Sequence, residues 1–90
     1  MGKQDFISKY FFFMENSKGM LPMAKAVYMQ LCYEWLTTGN DWLNIAINDL
    51  KEAVGSTQFE LLTALTILEQ KKFIRTKKAA NKNTIEIQIQ

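Results

Sequence analysis

The stretch GSTQFELLTALTILEQKKFIRTKKAANKNTIEIQIQ, residues 55–90, decides the fold. Its first half repeats apolar residues at helical spacing. Leu61, Leu65 and Leu68 make one stripe, and Ala64 sits beside them where a second helix can approach. Thr57 precedes this run and Glu60 stands three residues later, the pattern of a capping box. The spacing predicts a helix over 57–71. Beyond it the period changes from 3.6 to 2. Residues 73–77 read as a strand. Ile85, Ile87 and Ile89 alternate with Glu86, Gln88 and Gln90 as a second, half-buried strand. Lys78-Ala79-Ala80-Asn81-Lys82-Asn83 lies between them as a polar loop, so 73–90 reads as a β-hairpin.

Upstream, Gly55 closes a short helix over 46–54 that turns Ile47, Leu50 and Val54 inward. Trp42 to Ile45 reads as a short strand. Pro22 suits the first position of a helix, where its missing N–H costs nothing, and Gly39-Asn40 ends that helix after about residue 37. This helix over 22–37 carries two apolar stripes. Ala24, Val27, Tyr28, Leu31 and Trp35 form one, and Met29, Tyr33 and Leu36 form the other. Two apolar faces imply two covers. The N-terminal segment or the last strand can supply the second cover, and so can another copy of the chain.

The segment 1–19 is rich in aromatics. Ile7, Tyr10, Phe11 and Met14 fit a helix, while Tyr10-Phe11-Phe12-Phe13 also fits a buried strand. Glu15-Asn16-Ser17-Lys18-Gly19 then breaks the segment with turn residues. The whole reads as one α+β domain over 1–90. Three helices are followed by a C-terminal hairpin, with a strand or helix in front. That is the order of a winged helix-turn-helix.

Composition narrows the function classes. The 90 residues are 48% hydrophobic and 22% charged, an ordinary globular balance. A chain of this size buries roughly 60–65% of its unfolded surface, enough for one core. No apolar run approaches the ~20 residues of a membrane span, so no membrane partner is expected. The chain has no histidine and a single cysteine, Cys32. Histidine acid–base chemistry, Ser-His and Cys-His pairs, and an internal disulfide are therefore absent. No metal, cofactor, small-molecule substrate or enzymatic activity is expected, and one free cysteine suits a cytoplasmic setting. The net charge of +2 is unevenly placed. Residues 1–70 hold five basic and eight acidic side chains, net −3. Residues 71–90 hold Lys71, Lys72, Arg75, Lys77, Lys78 and Lys82 against Glu86 alone, net +5. Such asymmetry is the electrostatic footprint of a polyanion-binding edge.

With Gly55, Ser56-Thr57, Ala64-Leu65, Leu68-Glu69 and Phe73-Ile74, residues 55–74 resemble the second half of the winged helix found in many bacterial regulators and replication proteins. Lys18-Gly19-Met20, Ala24-Lys25, Val27-Tyr28 and Leu31 resemble the entry to the first helix in the N-terminal domain of Gram-positive plasmid replication initiators. Related winged helices occur in phage replisome organisers. The resemblance covers most of residues 10–90. It implies binding to double-stranded DNA in replication initiation or its control, or in partition or transcriptional regulation.

Carried onto this sequence, the resemblance makes 57–71 the recognition helix, with Thr57, Gln58, Phe59, Thr63 and Thr66 presented to DNA. Arg75, Lys77, Lys78 and Lys82 belong to the wing. Two positions depart from the family pattern. Leu21 replaces the usual serine cap before Pro22, and the recognition helix has no Lys or Arg before Lys71. Because lysine and arginine contacts to phosphate supply most DNA affinity, this moves the weight to the hairpin. The competing function is a protein-interaction module that keeps the fold without reading DNA. A homodimer is also expected, paired through Phe11, Phe12, Phe13, Met29, Tyr33 and Leu36.

Overall fold

The computed structural model describes residues 3–79 and 82–90, with side chains from residue 7 onward. Met1-Gly2 and the Ala80-Asn81 part of the expected hairpin loop lie outside the described residues. The elements are helices α1 (Lys3–Asn16) and α2 (Pro22–Thr38), strand β1 (Leu43–Ala46), helices α3 (Ile47–Val54) and α4 (Gln58–Gln70), and strands β2 (Ile74–Lys78) and β3 (Thr84–Ile89). The domain is thus α+β, and among the described residues the segment in front of the three expected helices is itself a helix. The three strands form one antiparallel sheet in the order β1-β3-β2. β3 is central, pairing Leu43 with Ile87 on one side and Thr76 with Ile87 on the other.

Local chemistry explains the boundaries. Pro22 sets the start of α2, and Leu21 before it is extended, as a residue preceding proline prefers. Thr57 caps α4 from outside, so the helix begins one residue later than the pattern suggested. Gly55 ends α3 at φ 68°, a left-handed conformation that costs glycine nothing. α4 ends the same way without a glycine. Lys72 takes φ 65°, its N–H donates to the Glu69 carbonyl, and the Phe73 N–H reaches back to the Leu68 carbonyl. This is a Schellman closure with lysine in the strained place. It releases the chain into β2 at Ile74, one residue after the expected start.

The core lies between α2, α4 and the inner face of the sheet. Leu31, Leu61, Leu68 and Ile87 are fully buried at its centre. The first apolar stripe of α2 faces this core, as its spacing predicted. The N-terminal segment is a helix, and the strand alternative fails for a physical reason. A buried strand would need Tyr10 to Phe13 enclosed together, but only Phe13 is buried, while Phe11 and Phe12 are exposed. The Phe13 ring stacks on Tyr28 at 3.9 Å between centroids, and Phe73 stands edge-on to it at 4.8 Å. Lys9 lies over the Trp35 ring at 5.7 Å. α1 therefore covers the Tyr28–Cys32–Trp35 side of α2.

Two expectations are corrected here. Phe13 is 1% exposed and locked in this aromatic cluster, so it cannot lie on an outward dimer surface. Neither α1 nor β3 covers the second stripe of α2. Met29, Tyr33 and Leu36 remain 41%, 60% and 48% exposed.

Candidate nucleic-acid interface

The start of α4 is held by its own side chains. The Thr57 hydroxyl accepts from the Glu60 N–H at 3.1 Å, and the Thr57 N–H donates to Glu60 Oε1 at 3.0 Å. The Thr57 N–H first, and the Thr57 side chain second, lower the Glu60 carboxyl from its ordinary value. The Thr57 hydroxyl oxygen thereby serves as the cap of its own helix. The Thr66 hydroxyl donates to the Leu62 carbonyl at 2.9 Å, which leaves its oxygen free only to accept.

The remaining helix positions divide between two sides. With Leu61, Ala64, Leu65 and Leu68 buried, helical periodicity turns Phe59, Thr63, Thr66 and Gln70 outward. Gln58 is exposed but lies on the flank shared with Leu62 and Glu69. It does not share one face with Phe59 and Thr63. Phe59 is 80% exposed and borders an apolar groove of about 440 Å³ against Leu21, Pro22 and Met23.

The hairpin cations do not form one cluster either. Lys77 and Lys78 were expected in or beside a single loop. Both lie in β2, where successive side chains point to opposite faces. Arg75 and Lys77 share the outer face, across from Gln88 and Glu86 of β3. There Lys77 Nζ stands 4.1 Å from the centre of the Trp42 ring and 3.9 Å from Glu86 Oε2. Lys78 belongs to the inner face with Thr76, across from Ile85. It borders a cleft of about 570 Å³ that Lys82 and part of Lys77 also line, floored by Ile47 and Ile85. Among the described residues, no hydrogen bond or ion pair engages the ammonium groups of Lys78 and Lys82. Lys72 and Arg75 line a separate cleft near the α4–β2 corner, beside Glu69 and Gln90.

Several contributors were not read from the sequence. Trp42 meets Lys77 only through the β1-β3-β2 sheet order, for which no local signal exists. Glu69 accepts from both the N–H and the hydroxyl of Thr76, at 3.1 and 2.9 Å, and so caps the outer edge of β2. Gln70 was visible in principle, because it stands eleven residues after Phe59, three helical turns along the same face. Among the described residues, no group of His, Cys, Asp or Glu could hold a metal ion, and no helix is long and apolar enough to cross a membrane. No protein-family model matches the chain, and no curated protein proved similar to it.

Proposed function

We propose that the domain is a winged helix that binds duplex DNA, with the β2–β3 hairpin as its wing. The observation that carries this reading is the inner cleft of the hairpin. Lys77, Lys78 and Lys82 line one open cavity; Lys77 is held by Glu86 and Trp42, while among the described residues neither the Lys78 nor the Lys82 ammonium has a carboxylate partner. Two cations beside one cleft suit a phosphate backbone, where long side chains reach separate phosphates. Lys77 contributes less, because Trp42 and Glu86 already engage it. The outward face of α4, Phe59, Thr63, Thr66 and Gln70, would meet base edges or sugars without supplying charge. The motifs at 55–74 and 18–31 support a role in plasmid or phage replication initiation or its control, with partition and transcriptional regulation as neighbours. No catalytic step is part of this reading. Two copies related by a two-fold axis would present two hairpins to one duplex.

A second reading has its own observation. The apolar groove beside Phe59 and the absence of cations on α4 suit a protein-interaction module on the same fold. Titration of a fluorescent duplex at low and moderate salt separates the two. The DNA reading expects binding that weakens steeply as salt rises. Absence of binding at low salt overturns it and leaves the interaction module.

A further inference from the structure

Two exposed apolar seams run along the N-terminal helices. On α2, Pro22, Ala26, Met29, Tyr33 and Leu36 are all exposed and follow one another at alternating spacings of four and three. That is the spacing of a helix-packing seam, and no charged residue interrupts it. On α1, Ile7, Phe11 and Met14 repeat the same spacing, at 48%, 60% and 51% exposure. Both seams face away from the core. Phe13 points at Tyr28, and Phe12 leans toward Phe73 at 5.9 Å between ring centroids. The face of α1 that carries Ile7, Phe11 and Met14 therefore turns away from Tyr28 and Phe73, outward from the packed side of the helix.

The six large side chains of these seams, each about half exposed, together leave on the order of 600 Å² of apolar surface. It approaches the ~800 Å² per partner of a standard stable interface. We infer that a second copy of this chain covers it, with α1 and α2 of one protomer packed on α1 and α2 of its partner. A seam on each helix makes the patch self-complementary. The α2 seam can receive the α1 seam of the partner, and the two-fold axis repeats the contact. Polar residues flank the seam, with Lys25 to one side and the Gln30–Glu34 hydrogen bond at 3.2 Å beyond it. The Phe13–Tyr28–Phe73 cluster stays inside each protomer and fixes α1 before pairing. This inference does not depend on DNA binding.

Sedimentation equilibrium of the full chain at micromolar concentration tests the pairing. The expected mass is twice the 10.4 kDa of one chain. Hydroxyl-radical footprinting of the same samples reads the surface without any variant. Met29, Tyr33 and Met14 should become protected as the dimer forms, while Phe59 stays reactive. The double variant Phe11→Lys with Tyr33→Lys should remain folded by circular dichroism and sediment as a monomer. A mass of one chain at every concentration overturns the proposal, including the case where the monomer instead binds lipid vesicles. A dimer in which Met29 and Tyr33 stay fully reactive overturns it as well.

Discussion

Lys72 is the residue whose backbone conformation its side chain does not explain. At φ 65° it occupies the left-handed region that most L-residues avoid, and it does so to close α4. Lys72→Gly should therefore stabilise the fold by about 1 kcal/mol, read from the midpoint of urea unfolding. No gain would mean the turn carries no strain. At the other end of the helix, Thr57→Ala removes an observed cap and should cost about 1 kcal/mol in the same assay. The capping box also sets a pH dependence. Its hydrogen bonds lower the folded carboxyl of Glu60. Its contribution is present above the unfolded carboxyl value of about 4.3 and fades as pH falls through the lower folded value. The stability gap between the protein and Glu60→Gln should shrink in acid. A gap that widens there would contradict the box. This motif was legible because a capping box needs only residues three apart. The αL lysine was not, since glycine is the residue whose sequence signals such a closure.

At the scale of elements, α1 is the clearest case of a segment that the sequence leaves open. Phe11, Phe12 and Phe13 are consecutive, so apolar residues satisfy both the helical and the strand period. Packing decides, because only Phe13 finds the Tyr28 and Phe73 rings. Phe13→Ala should destabilise the domain by about 3–5 kcal/mol through the cavity it leaves. It should also loosen α1 over the Tyr28–Cys32 side of α2. Burial pushes that thiol up to about 11, so the native protein should react slowly with a thiol reagent at pH 8, and Phe13→Ala quickly. Equal rates would place Cys32 outside the cover of α1. The sign of the pH effect follows from the same burial. Stability should fall as pH rises from about 8.5, where the unfolded thiol ionises, toward the folded value. β2 offers a second element-scale test. Glu69→Ala leaves the Thr76 N–H and hydroxyl without their acceptor and should cost about 1 kcal/mol. It should also raise aggregation by baring a sheet edge. The α4 stripe and the β3 alternation were legible because each repeats its period over several turns or pairs. The assignment of Lys77 to the outer face was not. Phe73 and Ile74 are consecutive apolar residues, so either parity could face the core, and Trp42 reaches Lys77 only across the folded sheet.

Over the whole molecule, charge and apolar surface separate. Apolar seams gather on α1 and α2, while the cations of residues 71–90 spread along both ends of β2. Charge counting alone finds the net +5 of that segment but not its division into an inner cleft, an outer Trp42 contact and a corner at Lys72 and Arg75. The division makes the account specific, because three neighbouring lysines cease to be equivalent. The decisive measurement is the salt dependence of duplex affinity for Lys78→Ala with Lys82→Ala, set beside Lys77→Ala. Loss of two phosphate contacts should weaken binding to any duplex and lower the slope of log affinity against log salt by about two. Lys77→Ala should change the slope by well under one. An unchanged slope and affinity in the double variant, or a larger loss from Lys77→Ala, would contradict the placement of DNA at the inner cleft of the hairpin.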